Sequence, residues 1–121
     1  MNQIETGKEY EEKAAAYLEK QGMRLLARNF RCRQGEIDII GIHKEMLVFV
    51  EVKYRKNNSH GMAEEAVGVS KQRKICHTSD YFRVRNSQYQ GLQVRYDVIA
   101  ITGETLIWYQ NAFPYYGQSG W

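Results

Sequence analysis

Two apolar stretches constrain the fold of this chain more than anything else in it: residues 36–42 (EIDIIGI) and 47–53 (LVFVEVK). Both have the β-branched and aromatic content of buried strands, yet each is interrupted by charge. Alternation along a strand sends residues i and i+2 to one face, so Glu51 and Lys53 project together while Val50 and Val52 project to the other side. One face is core and the other is chemical. A two-residue loop at Lys44-Glu45 makes the stretches an antiparallel hairpin, with Asp38 opposite Glu51, Glu36 opposite Lys53 and Ile40 opposite Phe49. A slip of one residue would disperse the cluster. Lys44-Glu45 is not one of the favoured turn pairs, so this register is an expectation and not a consequence of turn chemistry.

The bland explanation of these charges is a set of cross-strand salt bridges on a solvated face, each contributing only tenths of a kcal/mol. Ile40 and Phe49 weaken it, because they share the face and mark it as partly covered. Two partly buried acids need more compensation than one lysine supplies. A divalent cation supplies it. Magnesium prefers hard oxygen ligands and keeps several waters, so Asp38 and Glu51 suffice as side-chain anchors, with Lys53 beside them to orient a water or carry charge on a phosphate. That is the chemistry of phosphodiester hydrolysis with Mg2+ or Mn2+ as cofactor.

The rest of the chain is consistent with a nucleic-acid partner. Its 121 residues make one domain, 43% apolar and 26% charged, with a net charge of +3. Basic residues cluster: Arg24, Arg28, Arg31 and Arg33 before the first acidic strand, Lys53, Arg55 and Lys56 after the second, and Lys71, Arg73 and Lys74 further on. A basic surface around an acidic centre suits a polyanion held by its phosphates. Lys71, Gln72, Arg73 and Lys74 open a helix, where backbone amides add to phosphate binding; as an ordinary solvated turn the same run would be unexceptional. No apolar stretch approaches the length of a membrane span, and the acidic N-terminus is not a signal peptide, so a cytoplasmic location without membrane attachment is expected. Cys32 and Cys76 lack disulfide or metal spacing, as do His43, His60 and His77.

The pattern predicts a helix over 6–21 stopped by Gly22, a strand within 23–33, the strands at 36–42 and 46–55, a loop through 56–69 with a short helical turn at 63–66, and a helix over 70–84 capped by Ser70. Strands at 94–102 and 105–110 follow, joined by Gly103-Glu104. Glu11 falls within the apolar stripe of the first helix, and a carboxylate there must find a partner, a cation or a proton. Asp97 reads as structural, paired with Arg95 or Arg31. The aromatic, glycine-rich segment 114–121 reads as a loose tail beyond a domain of residues 1–113.

Asp38, a gap of 12 residues, then Glu51-Val52-Lys53 resembles the bipartite motif of the PD-(D/E)xK nuclease superfamily. Further residues make the resemblance more specific: Gly7, Glu11, Ala14, Tyr17, Leu18, Arg28, Asn29, the run 35–38, the run 48–53, residues 65–67, Lys71, Gln72, residues 96–98 and residues 111–113. Together they look like the YraN family of small bacterial proteins, which is similar to archaeal Holliday-junction resolvases. The resemblance implies an α/β, restriction-endonuclease-like αβββαβ core with a central mixed sheet flanked by helices. It also implies that Glu11 joins Asp38 and Glu51 at the metal, that Lys53 is the catalytic lysine, and that Lys71 and Gln72 line the site. Three positions depart from the pattern: Tyr10 where many relatives have glycine, Ala63 where many have proline, and Ile37 before the aspartate.

The expectation is therefore a Mg2+- or Mn2+-dependent endonuclease acting on DNA, including branched or repair-intermediate DNA, with Glu11, Asp38, Glu51 and Lys53 as its centre. Arg31, Arg33, Arg55, Lys71, Gln72, Arg73 and Lys74 are the expected nucleic-acid contacts. The alternative is a nucleic-acid-binding module of a repair or uptake assembly that does not cut. The resemblance raises a homodimer as well, although no stretch of the sequence marks an interface.

Overall fold

A five-stranded mixed sheet carries one helix on each face. The computed structural model describes residues 3–55 and 67–116, with side chains from residue 7 onward. In chain order the elements are α1 (Gln3–Lys20), β1 (Arg24–Cys32), β2 (Gly35–His43), β3 (Met46–Arg55), α2 (Val69–Arg85), a 3-10 turn (Ser87–Tyr89), β4 (Gln93–Thr102) and β5 (Thr105–Tyr109). The sheet order is β1-β2-β3-β4-β5, with β3 and β4 parallel across the α2 connection and the other pairs antiparallel. This is the expected order of helix, three strands, helix and two strands, the strand expected at 105–110 being β5. Among the described residues no helix is long and apolar enough to cross a membrane.

Strand alternation sorts the core into two layers. Ala14, Ala15 and Leu18 of α1 pack on Ile39, Val48, Val50, Ile99 and Ile101, while Ile75, Cys76 and Phe82 of α2 pack on Ile40, Leu47, Phe49, Tyr96 and Val98. The central strands β3 and β4, buried on both faces, therefore lack a simple apolar–polar alternation and are mostly apolar, broken by a few charges. Glu51 lies in register with the α2-side residues Leu47 and Phe49, and Lys53 follows it on that face.

The β2–β3 hairpin turns at Lys44 and Glu45, with φ of 52° and 65°. Two left-handed residues in a two-residue loop suit the right-handed twist of the strands, so the turn geometry is the favoured one although its residues are not. His43 pairs with Met46, and the register carries Ile40 to Phe49 as expected. Gly41 is required by close approach: a Cβ there would meet Met23 Cγ at 2.7 Å and the Arg24 carbonyl at 2.9 Å.

Three expectations are corrected. Gly68, not Ser70, occupies the N-cap of α2, and Ser70 lies inside the first turn. The described part of the tail is docked, not loose. Next to Phe113, the last residue of the expected domain, which stacks on Tyr96, the Tyr115 hydroxyl donates to the Asp80 carboxylate at 2.9 Å and the Tyr116 amide reaches Cys76 Sγ. Glu36 does not face Lys53, because the β2–β3 ladder stops at Ile39–Val50 and Glu36 turns to Arg31 at 3.0 Å. The expected helical turn at 63–66 and residues 117–121 lie outside the described residues.

Candidate functional site

The ladder stops where it does because Asp38 takes over a main-chain role. Counting by twos from the closing pair His43–Met46, the Val52 amide would donate to Ile37 in an uninterrupted antiparallel ladder. It donates instead to Asp38 Oδ2 at 2.8 Å. The Asp38 side chain thus lies in the plane of the sheet, between β2 and β3.

The neighbouring strand is distorted at the same rung. Arg28 pairs with Ile39 and Phe30 with Ile37, which leaves Asn29 beside Asp38. Asn29 has φ of 53°, a conformation that asparagine tolerates better than most residues. The consequence is a reversal of the pleat. Arg28 reaches Glu12 of α1 at 3.2 Å and Ile39 packs in the α1 layer, yet Phe30 meets Phe82 of α2 edge-on and Ile37 packs in the α2 layer. Residues two apart in a regular strand would share a face.

Two carboxylates meet at this irregular rung, and a third is close enough for the charge of Asp38 to act on it. Glu51, 6% exposed, approaches Asp38 from β3. The Asp38 carboxyl is pushed up to about 7, first by burial and then by the Glu51 charge, against the stabilising Val52 amide; a hydrogen bond with Glu51 and the Glu36 charge raise it further. Half-buried Glu11 of α1 is also raised, by burial first and then by Asp38, while Asn29 and Arg28 pull it the other way. Stacking of Tyr10 on Tyr54, with centroids 4.2 Å apart, fixes that end of α1 against β3. Carboxyls that resist ionisation beside one another mark a place that favours a cation or a shared proton.

The donor set of Asp38 and Glu51 fits a hard divalent ion, two carboxylates being what magnesium asks of a protein. Among the described residues no group of three or more His, Cys, Asp or Glu side chains is disposed to hold an ion. Asp38 and Glu51 are the pair whose chemistry would suit such an ion, and Glu11 of α1 lies near enough to feel the Asp38 charge.

A protein cation already touches the cluster. Lys71 Nζ lies 3.1 Å from Glu51 Oε2. Burial opposes the Lys71 charge, but Glu51, Asp38 and Glu36 outweigh it and raise the ammonium above its ordinary value. Sequence reasoning placed Lys71 among the phosphate contacts and missed this pairing. It is legible only once α2 is known to lie on the Glu51 face. Asn29 enters the sequence reading only through the family resemblance, and an asparagine in the middle of a strand is its local signal.

The other expected nucleic-acid contacts divide. Gln72 is buried and its side-chain amide donates to the Val67 carbonyl at 2.7 Å, so it anchors the start of α2. Arg73 lies over the Tyr116 ring, exposed Arg31 holds Glu36, and Arg33 and Lys74 are exposed. Lys53 is half-buried on the Glu51 face and makes no ion pair with a described carboxylate. Arg55 is half-buried at the end of β3.

A second acidic group proves structural, as expected. Asp97, fully buried on the α1 side, accepts from Arg95 Nε at 2.9 Å, Trp108 Nε1 at 2.9 Å and the Asn111 amide at 2.9 Å. Its oxygens are satisfied by protein donors, whereas Asp38 and Glu51 face each other.

This contrast sets the site beside known sequences. The model of "Uncharacterised protein family UPF0102" matches residues 10–101, a span that holds Glu11, Asp38, Glu51, Lys53 and Lys71. The chain belongs to the UPF0102 family. It is the YraN group that the sequence resembles. A UPF0102 protein of Lachnoclostridium phytofermentans is 44% identical over 117 residues, 97% of this chain and 99% of the relative. A UPF0102 protein of Francisella tularensis subsp. tularensis is 42% identical over 114 residues, 93% of this chain and 97% of its own length. One from Saccharophagus degradans is 44% identical over 109 residues, 90% of this chain and 92% of its own.

Proposed function

We propose that this protein is a metal-dependent endonuclease that hydrolyses phosphodiester bonds in DNA. One observation carries the reading: Asp38 and Glu51 face each other across a rung where the ladder has been given up, and the Asp38 carboxyl is held near 7 by burial and by its neighbour. Buried Asp97 is met by three protein groups, whereas Asp38 and Glu51 divide the Val52 amide and the half-exposed Lys71 between them, an arrangement suited to a shared positive charge. Mg2+ or Mn2+ bound there would polarise a phosphoryl oxygen and make a water acidic enough to attack.

The chain's own groups have distinct tasks. Asp38 and Glu51 anchor the ion, and the Val52 amide holds Asp38 in the plane of the sheet. Glu11 adds negative charge from α1. Lys53, on the Glu51 face, orients a water or meets charge on the scissile phosphate. Arg33, Arg55 and Lys74 supply sequence-independent contacts to the DNA backbone.

The test is cleavage of single-stranded, duplex, flap and four-way DNA with each metal. Wild-type protein is expected to cut at least one of them, whereas Asp38→Ala and Glu51→Ala bind DNA without cutting it. Metal-dependent cleavage that survives in the purified double variant would sink the assignment.

A further inference from the structure

We infer that Lys71 is an internal counter-ion that occupies the cation's place on Glu51 and releases it when the divalent ion binds, so that its ammonium becomes a phosphate contact only in the metal-loaded protein. The inference rests on the metal-dependent reading above and gives Lys71 two successive partners.

The ion pair is lopsided. Lys71 Nζ sits 3.1 Å from Glu51 Oε2, but the lysine side chain is 44% exposed and the glutamate side chain 6%. Glu51 projects from β3, the central strand of the sheet, paired on its β4 side with Val98, and has nowhere to go. Lys71 stands in the first turn of α2 on a flexible stem. The backbone beneath it is fixed: the Gln72 side chain holds the Val67 carbonyl at 2.7 Å, and the Gln72 amide bonds Gly68 O at 2.9 Å. What can move is the lysine side chain.

Electrostatics requires that it move. A buried carboxylate facing a second carboxylate is costly without a compensating cation. In the metal-free protein the ammonium is that cation. A divalent ion on the same carboxylate brings a second positive centre within a few ångströms of Nζ, and like charges at that separation in a partly buried site repel strongly. Metal and ammonium therefore compete for Glu51, and each weakens the other's hold. The released ammonium remains on the α2 side of the site, the side toward which Lys53 also projects, where a phosphate backbone is the compatible partner.

Mn2+ titration calorimetry on DNA-free wild-type, Lys71→Met and Lys71→Arg proteins reads the competition directly. Lys71→Met is expected to bind Mn2+ about twofold to fivefold more tightly than wild type, the range of a favourable half-exposed ion pair, and Lys71→Arg is expected not to. Equal or weaker Mn2+ binding by Lys71→Met would overturn the inference, since Lys71 would then be a support for Glu51 and not its competitor. The second readout is duplex DNA affinity against salt, measured without divalent ions and with Ca2+. The salt slopes of wild type and Lys71→Met should coincide without metal and differ by about one with Ca2+. A slope difference that is the same in both conditions would overturn it too. If wild type and both variants take up no Mn2+ at millimolar concentration, the metal-dependent function itself fails, an outcome distinct from metal binding that ignores Lys71. Thermal melts confirm that each variant is folded.

Discussion

Replacing Asp38 by asparagine should stabilise the metal-free protein in neutral and alkaline solution and leave it nearly unchanged in acid. The Asp38 carboxyl is raised from an ordinary 3.8 to about 7, chiefly by burial and by Glu51. Below the lower value it is protonated whether the chain is folded or not, and contributes nothing to the pH dependence. Between the two values the unfolded chain loses its proton while the folded one keeps it, so folding stability falls by about 1.4 kcal/mol per pH unit. Above about 7 both states are ionised and the loss is complete. Three pH units at that slope set a ceiling of about 4 kcal/mol, which relaxation and the coupling to Glu51 reduce to about 2–4 kcal/mol. Asparagine retains an oxygen for the Val52 amide, 2.8 Å away in the wild type, but cannot ionise. Urea unfolding in EDTA, followed by tryptophan fluorescence from pH 4 to pH 8, should show the two proteins diverging as pH rises and running parallel above pH 7. Stability curves that stay parallel throughout would refute the argument. Magnesium added at pH 8 should narrow the gap by stabilising the wild type through binding to its native state.

Two further outcomes follow from other parts of the molecule. Glu45→Gly should stabilise the fold by about 0.5–1 kcal/mol, because a left-handed residue with a Cβ sits at φ of 65° in the hairpin turn; chemical denaturation measures it. Asp97→Ala should cost about 3–5 kcal/mol by leaving Arg95 charged, buried and without its carboxylate, seen as a fall in melting temperature.

Much of this architecture is legible in the sequence. Apolar runs at 47–52 and 96–101, each broken by a single acid, announce strands buried on both faces, and the spacing of Asp38 and Glu51 sets them at neighbouring positions of one hairpin. The hairpin register followed from loop length even though Lys44 and Glu45 are poor turn residues, since two residues leave the chain little choice. What could not be read was the interruption at Asp38. Alternation assumes a regular pleat, and one left-handed asparagine together with a side chain substituting for a carbonyl breaks that assumption locally. The error over Glu36 and Lys53 came from carrying the register past this point. Lys71 and Gln72, adjacent in sequence, have different fates because a helix turns by about 100° per residue: one reaches Glu51 and the other is buried against Val67. The docking of Phe113 and Tyr115 depended on knowing where Tyr96 and Asp80 would stand, which no local pattern gives.

The matched kinks at Asn29 and Asp38 bear on which length changes the molecule can survive. Each strand switches sides at the same level, so the two errors cancel and the outer half of the β1–β2 ribbon continues in step. Removing one amino acid from either strand alone would leave the other switching without a counterpart. Phe30 or Ile37 would then face the wrong helix, and one carboxylate of the pair would leave its place. Viable insertions and deletions here should therefore occur as coupled events in both strands, a rule that a deletion library scored for folding can read out.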